Sequence, residues 1–424
     1  MKTKFKQTEI GIIPEDWEIA EIGDVFELSQ GLQISTKLRV PSHKEGYLPL
    51  LKITELPQKK FSEFVSLNDV KENYVASKND IIFTRTGQVG LVYTDMVGCV
   101  HNNCFKIHYG DFDKSFVYHM LKQKRIFEYA NAVASGTVQK DLTHPAFKSC
   151  LIVFPKNKEE QIKIGQVFDN LEHTIENLQK QNQILEQIIQ SIFKHGFVDF
   201  EFPNEQGKPY MSSGGEMIDS ELGKIPSGWY IKKIGSEFKL VLGGTPSTTN
   251  KSYWKNGSIA WINSGKINEF RIIEPTAYIT DEAVNNSATK LLPKRTTVLA
   301  ITGATLGQVS RIEIDTCANQ SVIGIIESET ITSEYIYYCI KHTIREIISH
   351  QTGGAQQHIN KNNVDNSKIL IPSIKVLQEY QKIIKPIFDK ISSACFEINE
   401  LTQIRDSLLP KLMSGKIRVP VETN

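Results

Sequence analysis

The chain has 424 residues, 40% of them hydrophobic and 23% charged, which is length enough for two or three domains that each bury a core. Its 49 basic and 48 acidic residues leave a net charge of +1, which neither supports nor excludes a nucleic-acid partner, because a basic face can be offset by acidic surface elsewhere. No window of about 18 apolar residues exists, so no membrane span is expected. The basic start, Met1 to Gln7, leads into no apolar run, and no signal peptide is expected. The six cysteines form no CxxC pair and read as reduced, mostly buried thiols of a cytoplasmic protein rather than a disulfide framework.

In chain order, the first landmark is Thr8-Glu-Ile-Gly-Ile-Ile-Pro-Glu-Asp-Trp17, followed by Ile22-Gly23. A polar loop follows Gly31 and contains Gln33, Ser35, Lys37 and Arg39. Apolar runs at Asp80–Thr84 and Leu151–Pro155, ended by Gly or Pro, predict strands. Between them lie the turn Thr84-Arg-Thr-Gly-Gln-Val-Gly90, a predicted helix over Ser115–Ala130 and the element Gly136-Thr-Val-Gln139-Lys140. A long run without proline, Glu159–His195, then carries Phe168, Leu171, Ile175, Leu178, Asn182, Leu185, Ile189 and Ile192 at alternating steps of three and four. That heptad stripe predicts a coiled-coil helix with one polar break at Asn182.

The second half repeats this order. Ser220-Glu-Leu-Gly-Lys-Ile-Pro-Ser-Gly-Trp229 and Ile234-Gly235 answer the opening at an offset of 212. Ile301-Thr-Gly-Ala-Thr-Leu-Gly307, Gly353-Gly-Ala-Gln356 and Pro372 answer their counterparts at 217. The predicted strand Thr297–Ile301 and helix Ser333–His350 fall between these anchors. At an offset of 220 the stripe returns as Phe388, Ile391, Cys395, Ile398, Thr402, Arg405, Leu409 and Leu412, with Pro410 before its last member. Arg405 on the seam and Pro410 inside the run put the packing at that end in doubt. Two copies of roughly 210 residues are no solenoid. The frame recurs while the filling differs.

The expectation is therefore an α+β chain. Two tandem mixed α/β recognition domains are separated by two long spacer helices packed as an antiparallel coiled coil with pseudo-twofold symmetry. The expected domains are 1–157 and 220–373, the helices 158–198 and 374–415, the linker 199–219 and the tail 416–424. A helix of about 36 residues spans roughly 54 Å, so domains at that separation could touch DNA sites roughly one to one and a half helical turns apart.

The central stretch Phe200-Glu-Phe-Pro-Asn-Glu-Gln-Gly-Lys-Pro-Tyr210, continuing into Ser220–Trp229, resembles type I restriction–modification specificity (S) subunits. Gly243-Gly-Thr-Pro-Ser247, Tyr253-Trp-Lys-Asn-Gly257 and Ile259-Ala-Trp-Ile262 look like one class of target-recognition domain in that family. The resemblance covers about Thr8 to Ile417. It implies a non-catalytic subunit whose two domains each read one half of an asymmetric bipartite site in double-stranded DNA. It implies helices that fix the unread spacer and dock two methyltransferase (M) subunits, with restriction (R) subunits completing the complex. Asn177, Lys180, Gln181, Gln187 and Gln190 are exposed candidates for that dock, against the plainer reading of a solvated face. No cofactor is expected on this chain; S-adenosylmethionine, ATP and magnesium belong to the partners. Two alternatives stand beside this reading. One is the specificity subunit of a modification-only or phage-defence complex, the other a two-headed coiled-coil adaptor for ligands other than nucleic acid.

Missing motifs agree with a recognition role. The sequence holds no Asn/Asp-Pro-Pro-aromatic element of an amino-methyltransferase, no phosphate loop and no His/Cys metal pattern. Glu237-Phe-Lys239 has the form that ends many nuclease metal sites, but no acid stands at a useful spacing. The candidate DNA-binding residues are polar side chains in glycine-punctuated loops, because Arg and Lys pair with guanine and Asn and Gln with adenine. They are Gln33, Lys37, Arg39, Thr84, Arg85, Gln88, Gln139 and Lys140 in the first half. In the second they are Thr245, Ser247, Lys251, Thr302, Thr305, Gln308, Gln356, Gln357, His358 and Lys361. The glycines themselves serve equally well as tight turns. Gln139 and Gln356 recur and read as frame; Arg85 and Lys140 differ between copies and read as base contacts. Tyr253, Trp254 and Trp261 read as core, and Trp17 and Trp229 as structural.

Overall fold

The computed structural model describes residues 4–349 and 358–421. Contacts divide the chain into two compact units, one of Met1–Glu176 with Glu400–Asn424 and one of Asn177–Asn399.

In the first unit a hairpin of Phe5–Thr8 and Gly11–Pro14 leads to Trp17–Glu21, which pairs antiparallel with Leu151–Pro155. A four-stranded antiparallel sheet follows in the order Val92–Tyr93, Ile81–Thr84, Cys104–His108, Glu27–Gln30. A five-stranded sheet stands beside it and contains one parallel pair, Gly98–Val100 with Tyr47–Leu51. The central strand Ile81–Thr84 is buried at every position, as its unbroken apolar run requires. The region expected as one helix over Ser115–Ala130 is two, Lys114–Leu121 and Lys124–Val133. Gln123 turns extended between them and its amide caps Met120 O at 3.1 Å. The break lets Lys122 reach the Glu172 carboxylate at 2.5 Å.

The second unit repeats the plan. Its hairpin is Met217–Ser220 with Gly223–Pro226, and Tyr230–Lys233 pairs with Lys368–Ile371. Its four-stranded sheet runs Val309–Arg311, Thr297–Ala300, Val322–Ile326, Lys239–Leu242. The registers correspond: Thr84 faces Cys104 in one unit and Ala300 faces Val322 in the other. The neighbouring sheet has five strands in the first unit and four in the second, but the repeat of this four-stranded sheet from poorly matching sequence means that alternation and turn placement, rather than particular side chains, specify it.

The first long helix runs Lys158–Phe193 and the second Ile374–Leu412. Asn157 Oδ1 accepts Glu159 N at 2.8 Å at the first helix's start, and Glu159 and Glu160 in its first turn suit the positive end of the dipole. Helical segments run antiparallel inside each unit. In the first, Glu172 lies 3.9 Å from Arg405 while Glu160 meets Arg418. In the second, Asn182 meets Cys395 and Phe193 meets Tyr380. Of the stripe residues, Phe168, Ile175, Ile189, Phe388, Ile391 and Leu412 are buried. Leu171, Leu178, Leu185, Ile192, Ile398 and Leu409 are half-buried. Burying Phe168 or Phe388 stabilises its unit by about 1.5–3 kcal/mol. Pro410 stays inside the helix on its exposed side, and Leu412 beyond it still packs into the first unit's core.

A buried charge network fastens the second recognition domain to its helices. Arg271 meets Glu186 of the first helix at 3.2 Å and lies 3.7 Å from Glu313. Arg311 bridges Glu313 and Glu334, and Lys341 reaches Glu186 at 3.1 Å. Ser392 of the second helix donates to Glu313 at 2.9 Å. Three carboxylates and three cations balance one another, as burial demands.

All six cysteines are free and five are buried. Burial pushes the Cys104 thiol up to about 12, far from the range of a reactive thiolate. Among the described residues no helix is long and apolar enough to cross a membrane.

Candidate nucleic-acid interface

At one end of the first unit's four-stranded sheet four segments meet. They are residues 30–39, 84–90, 101–103 and 136–142. Backbone bonds tie them: Gly31 N to Cys104 O at 3.0 Å, Arg85 N to Asn103 O at 2.8 Å, Gly87 N to Lys140 O at 2.8 Å and Leu142 N to Arg85 O at 2.8 Å. Gly31 is required there, because a Cβ would sit 2.2 Å from His101 O.

Within this cluster the candidates divide. Thr84 is fully buried; its Oγ1 donates to Gln88 O and accepts Leu91 N at 2.9 Å, so it closes the turn. Gly90, at φ 95°, completes that turn in a conformation side chains avoid. Arg85 is engaged within the domain: Nε donates to Leu142 O at 3.0 Å, Nη1 to Asn102 O at 3.3 Å and Nη2 to Asp141 at 2.8 Å. Arg39 likewise donates to Ile34 O and pairs with Glu63 at 2.9 Å. Lys140 Nζ reaches Asn131 O and Oδ1, both at 3.1 Å. Gln33, Lys37, Gln88 and Gln139 are exposed.

The second unit builds the same cluster from residues 243–251, 301–308, 319–321 and 358–361. Gly243 N donates to Val322 O at 3.0 Å, Ile301 N to Ser321 O at 2.9 Å and Ile359 N to Ile301 O at 3.0 Å. A Cβ on Gly243 would lie 2.1 Å from Asn319 O, matching Gly31. Thr245 donates to Gln320 Oε1 at 2.5 Å, and Ser247 bonds Thr249 at 2.9 Å. Thr302 forms a bridge with His358, and Thr305 Oγ1 donates to Thr302 O at 3.2 Å. Gln308 is half-buried, and its Oε1 has no partner among the described residues. Lys251 is exposed; Lys361 lies 3.6 Å from Asp365 in a short helix capped by Asn360. Gln356 and Gln357 lie outside the described residues. Trp254 and Trp261 meet edge to face at 5.2 Å and bond Ser247 O and Gly244 O, so they brace the loop from inside.

Corresponding positions show where the two clusters diverge. Arg85 and Asp141 form an ion pair in one unit where Ile301 and His358 stand in the other. The turns His101–Asn103 and Asn319–Ser321 were absent from the sequence-based candidates. An amide pair between two strands in each half, Asn102-Asn103 and Asn319-Gln320, was the signal that could have found them. His101 Nδ1 and Asn102 Oδ1 have no partner among the described residues. Burial, aided by Arg39 and Lys52, holds the His101 imidazole below its ordinary pKa. Cationic and amide side chains on rigid turns suit polar edges and phosphates rather than bond-breaking chemistry. Among the described residues no group of three or more His, Cys, Asp or Glu is placed to hold a metal ion.

The profile of the type I restriction modification DNA specificity domain matches residues 14–187 and again 226–408. The type I restriction enzyme MjaIX specificity subunit of Methanocaldococcus jannaschii is 28% identical, covering 99% of this chain and 97% of that protein. The HindI specificity subunit of Haemophilus influenzae is 26% identical over 71% of this chain and 77% of its own. A crystal structure of a type I restriction–modification S subunit from M. genitalium shares the fold, with a TM-score of 0.64 at 20% identity and full coverage of both chains. With the family's domain present twice on a duplicated loop-bearing frame, the chain belongs to the type I restriction–modification DNA specificity family.

Proposed function

We propose that this chain is the addressing subunit of a type I restriction–modification complex, each unit reading one half of an asymmetric bipartite DNA site. The observation that carries the reading is the pair of loop clusters, which share sheet register and backbone ties but differ in their side chains. Two readers of one design with different contents are what an asymmetric site needs. Lys37, Lys140, Lys251 and Lys361 supply phosphate contacts that set position. Gln33, Gln88 and Gln139, with the amides of the 102–103 and 319–320 turns, read base edges. Arg39, Arg85, Thr84 and Thr245 act as anchors that hold those readers in place.

The chemistry belongs to partners. Two M subunits dock on the long helices and flip an adenine in each half-site for N6 methylation, using S-adenosylmethionine. R subunits supply ATP- and magnesium-dependent cleavage. The complex works in the cytoplasm. The test is genome-wide N6-methyladenine mapping in host cells with and without the gene. Loss of one motif, two short defined halves around a fixed gap, is the expected result. Exchange of residues 1–155 for those of another specificity subunit should change one half only. A change in both halves, or no motif lost while the M subunit is expressed, overturns the reading.

A further inference from the structure

Away from the loop clusters, the second unit holds a cavity of about 420 Å³ where the first long helix ends and the second begins, within the ~300–1,000 Å³ of ligand sites. Its walls are aromatic and rigid. Phe202 stacks between Trp229, at 4.9 Å, and Tyr210, at 4.6 Å. Phe197 meets Tyr380 edge-on at 4.8 Å, and Phe200, at φ 56°, turns the chain back over Trp229. Ile383 at the mouth is 57% exposed. The rim carries three carboxylates, Glu201, Glu205 and Glu379, against two lysines: Lys375 lies 3.8 Å from Glu205 and Lys382 lies 2.6 Å from Glu379, so the balance is one negative charge.

The internal repeat shows what such a wall accepts. In the first unit the positions equivalent to Trp229, Tyr380 and Ile383 are Trp17, Glu160 and Lys163. There the chain's own tail covers them. The Arg418 guanidinium lies 5.9 Å from the Trp17 ring centre and bonds Asp16 at 2.8 Å and Glu160 at 2.8 Å. Val419 packs on the adjoining core, and Lys163 Nζ holds Pro420 O at 2.9 Å. A guanidinium over tryptophan beside carboxylates, followed by an aliphatic residue, is a favourable cation–π and ion-pair arrangement. In the second unit Val198 takes the place of Arg418. Val198 supplies no cation to the face of Trp229; the lysines of this wall, Lys375 and Lys382, sit on the rim, and a cavity whose rim carries three carboxylates remains.

We propose that this cavity takes an extended segment of a partner protein carrying an arginine or lysine beside an aliphatic residue. The aromatic walls would hold the aliphatic part and the methylene stem of the cation, and the rim carboxylates its charge. The inference is independent of which bases the loops read.

The probe is a fluorescein-labelled peptide of the chain's own tail sequence, Ser-Gly-Lys-Ile-Arg-Val-Pro-Val, titrated into the full-length protein and followed by anisotropy. Saturable binding is expected, weakened at least tenfold when Glu205→Lys and Glu379→Lys are combined; both side chains are exposed, so folding is not at stake. Ser373→Phe, which fills the cavity, should abolish binding while the circular dichroism stays unchanged. A peptide with Glu for both Lys and Arg should not bind. The proposal is overturned by the absence of saturable binding or by equal binding of the charge-reversed peptide. It also fails if binding survives the rim and filling variants but is lost on Asp16→Ala, which would place the peptide at the tail's own site.

Discussion

Arg271, with no exposed side-chain surface, meets the Glu186 carboxylate across 85 residues of sequence at 3.2 Å, and so fixes a recognition domain to the first long helix. Removing one partner of a buried pair leaves an uncompensated charge, which costs about 3–5 kcal/mol. Glu186→Ala should lower the stability of the second unit by that amount in urea unfolding. Glu186→Ala combined with Arg271→Met should recover part of it, because the fully buried Arg271 charge is gone and only the half-buried Lys341 has lost its carboxylate. Equal losses in the single and double variants would contradict the arrangement.

The same pair makes the second unit acid-sensitive. Burial pushes the Glu186 carboxyl up, but Arg271 and Lys341 together pull it further down, below its ordinary value of 4.5. A carboxylate with a depressed folded-state pKa contributes stability that is fully present above its unfolded value and lost as pH falls through the folded one. Urea midpoints of the wild type should therefore fall as pH drops below about 4.5. Glu186→Gln should flatten that part of the profile, a difference readable by chemical denaturation at a series of pH values.

Anchors and readers should separate by measurement. Arg85→Ala takes the Nε donor from Leu142 O and one donor each from Asp141, which keeps Thr86, and from Asn102 O, which keeps Gln30. It should cost about 1–3 kcal/mol and speed amide exchange in the 84–90 and 136–142 loops. Gln88→Ala and Gln139→Ala, at exposed positions, should leave stability within about 0.5 kcal/mol while weakening sequence-specific DNA retention by the assembled complex. Stability losses in the glutamine variants would mean that these residues are frame after all.

Asn182 is buried on the helix seam, where Nδ2 contacts Cys395 Sγ at 3.6 Å and Oδ1 finds no partner among the described residues. A polar residue at a seam sets register at the expense of stability. Asn182→Leu should raise the thermal midpoint, by about 1–2 kcal/mol of stability. A lowered midpoint would show that the seam has no room for the branched side chain.

Several features of this chain can be read from one dimension. The 212-residue return of Trp17 as Trp229 and the 220-residue return of Phe168 as Phe388 reveal a duplicated domain and two heptad helices. Periodicity and spacing are properties of the chain itself, and burial of the stripe follows from them. Other features depend on which distant segments come to share space. Arg85 reads as a base contact because it differs between copies; that its guanidinium is engaged within the domain depends on Asp141, 56 residues away. The Asn102 turn, marked in the sequence only by its amide pair, joins the cluster because Gly31 admits the close approach of its neighbouring carbonyl. The break at Gln123 puts Lys122 within reach of Glu172, 50 residues away, a partner that local sequence does not name. Long polar side chains have several possible partners within reach of their local sequence, and the tertiary fold selects among them.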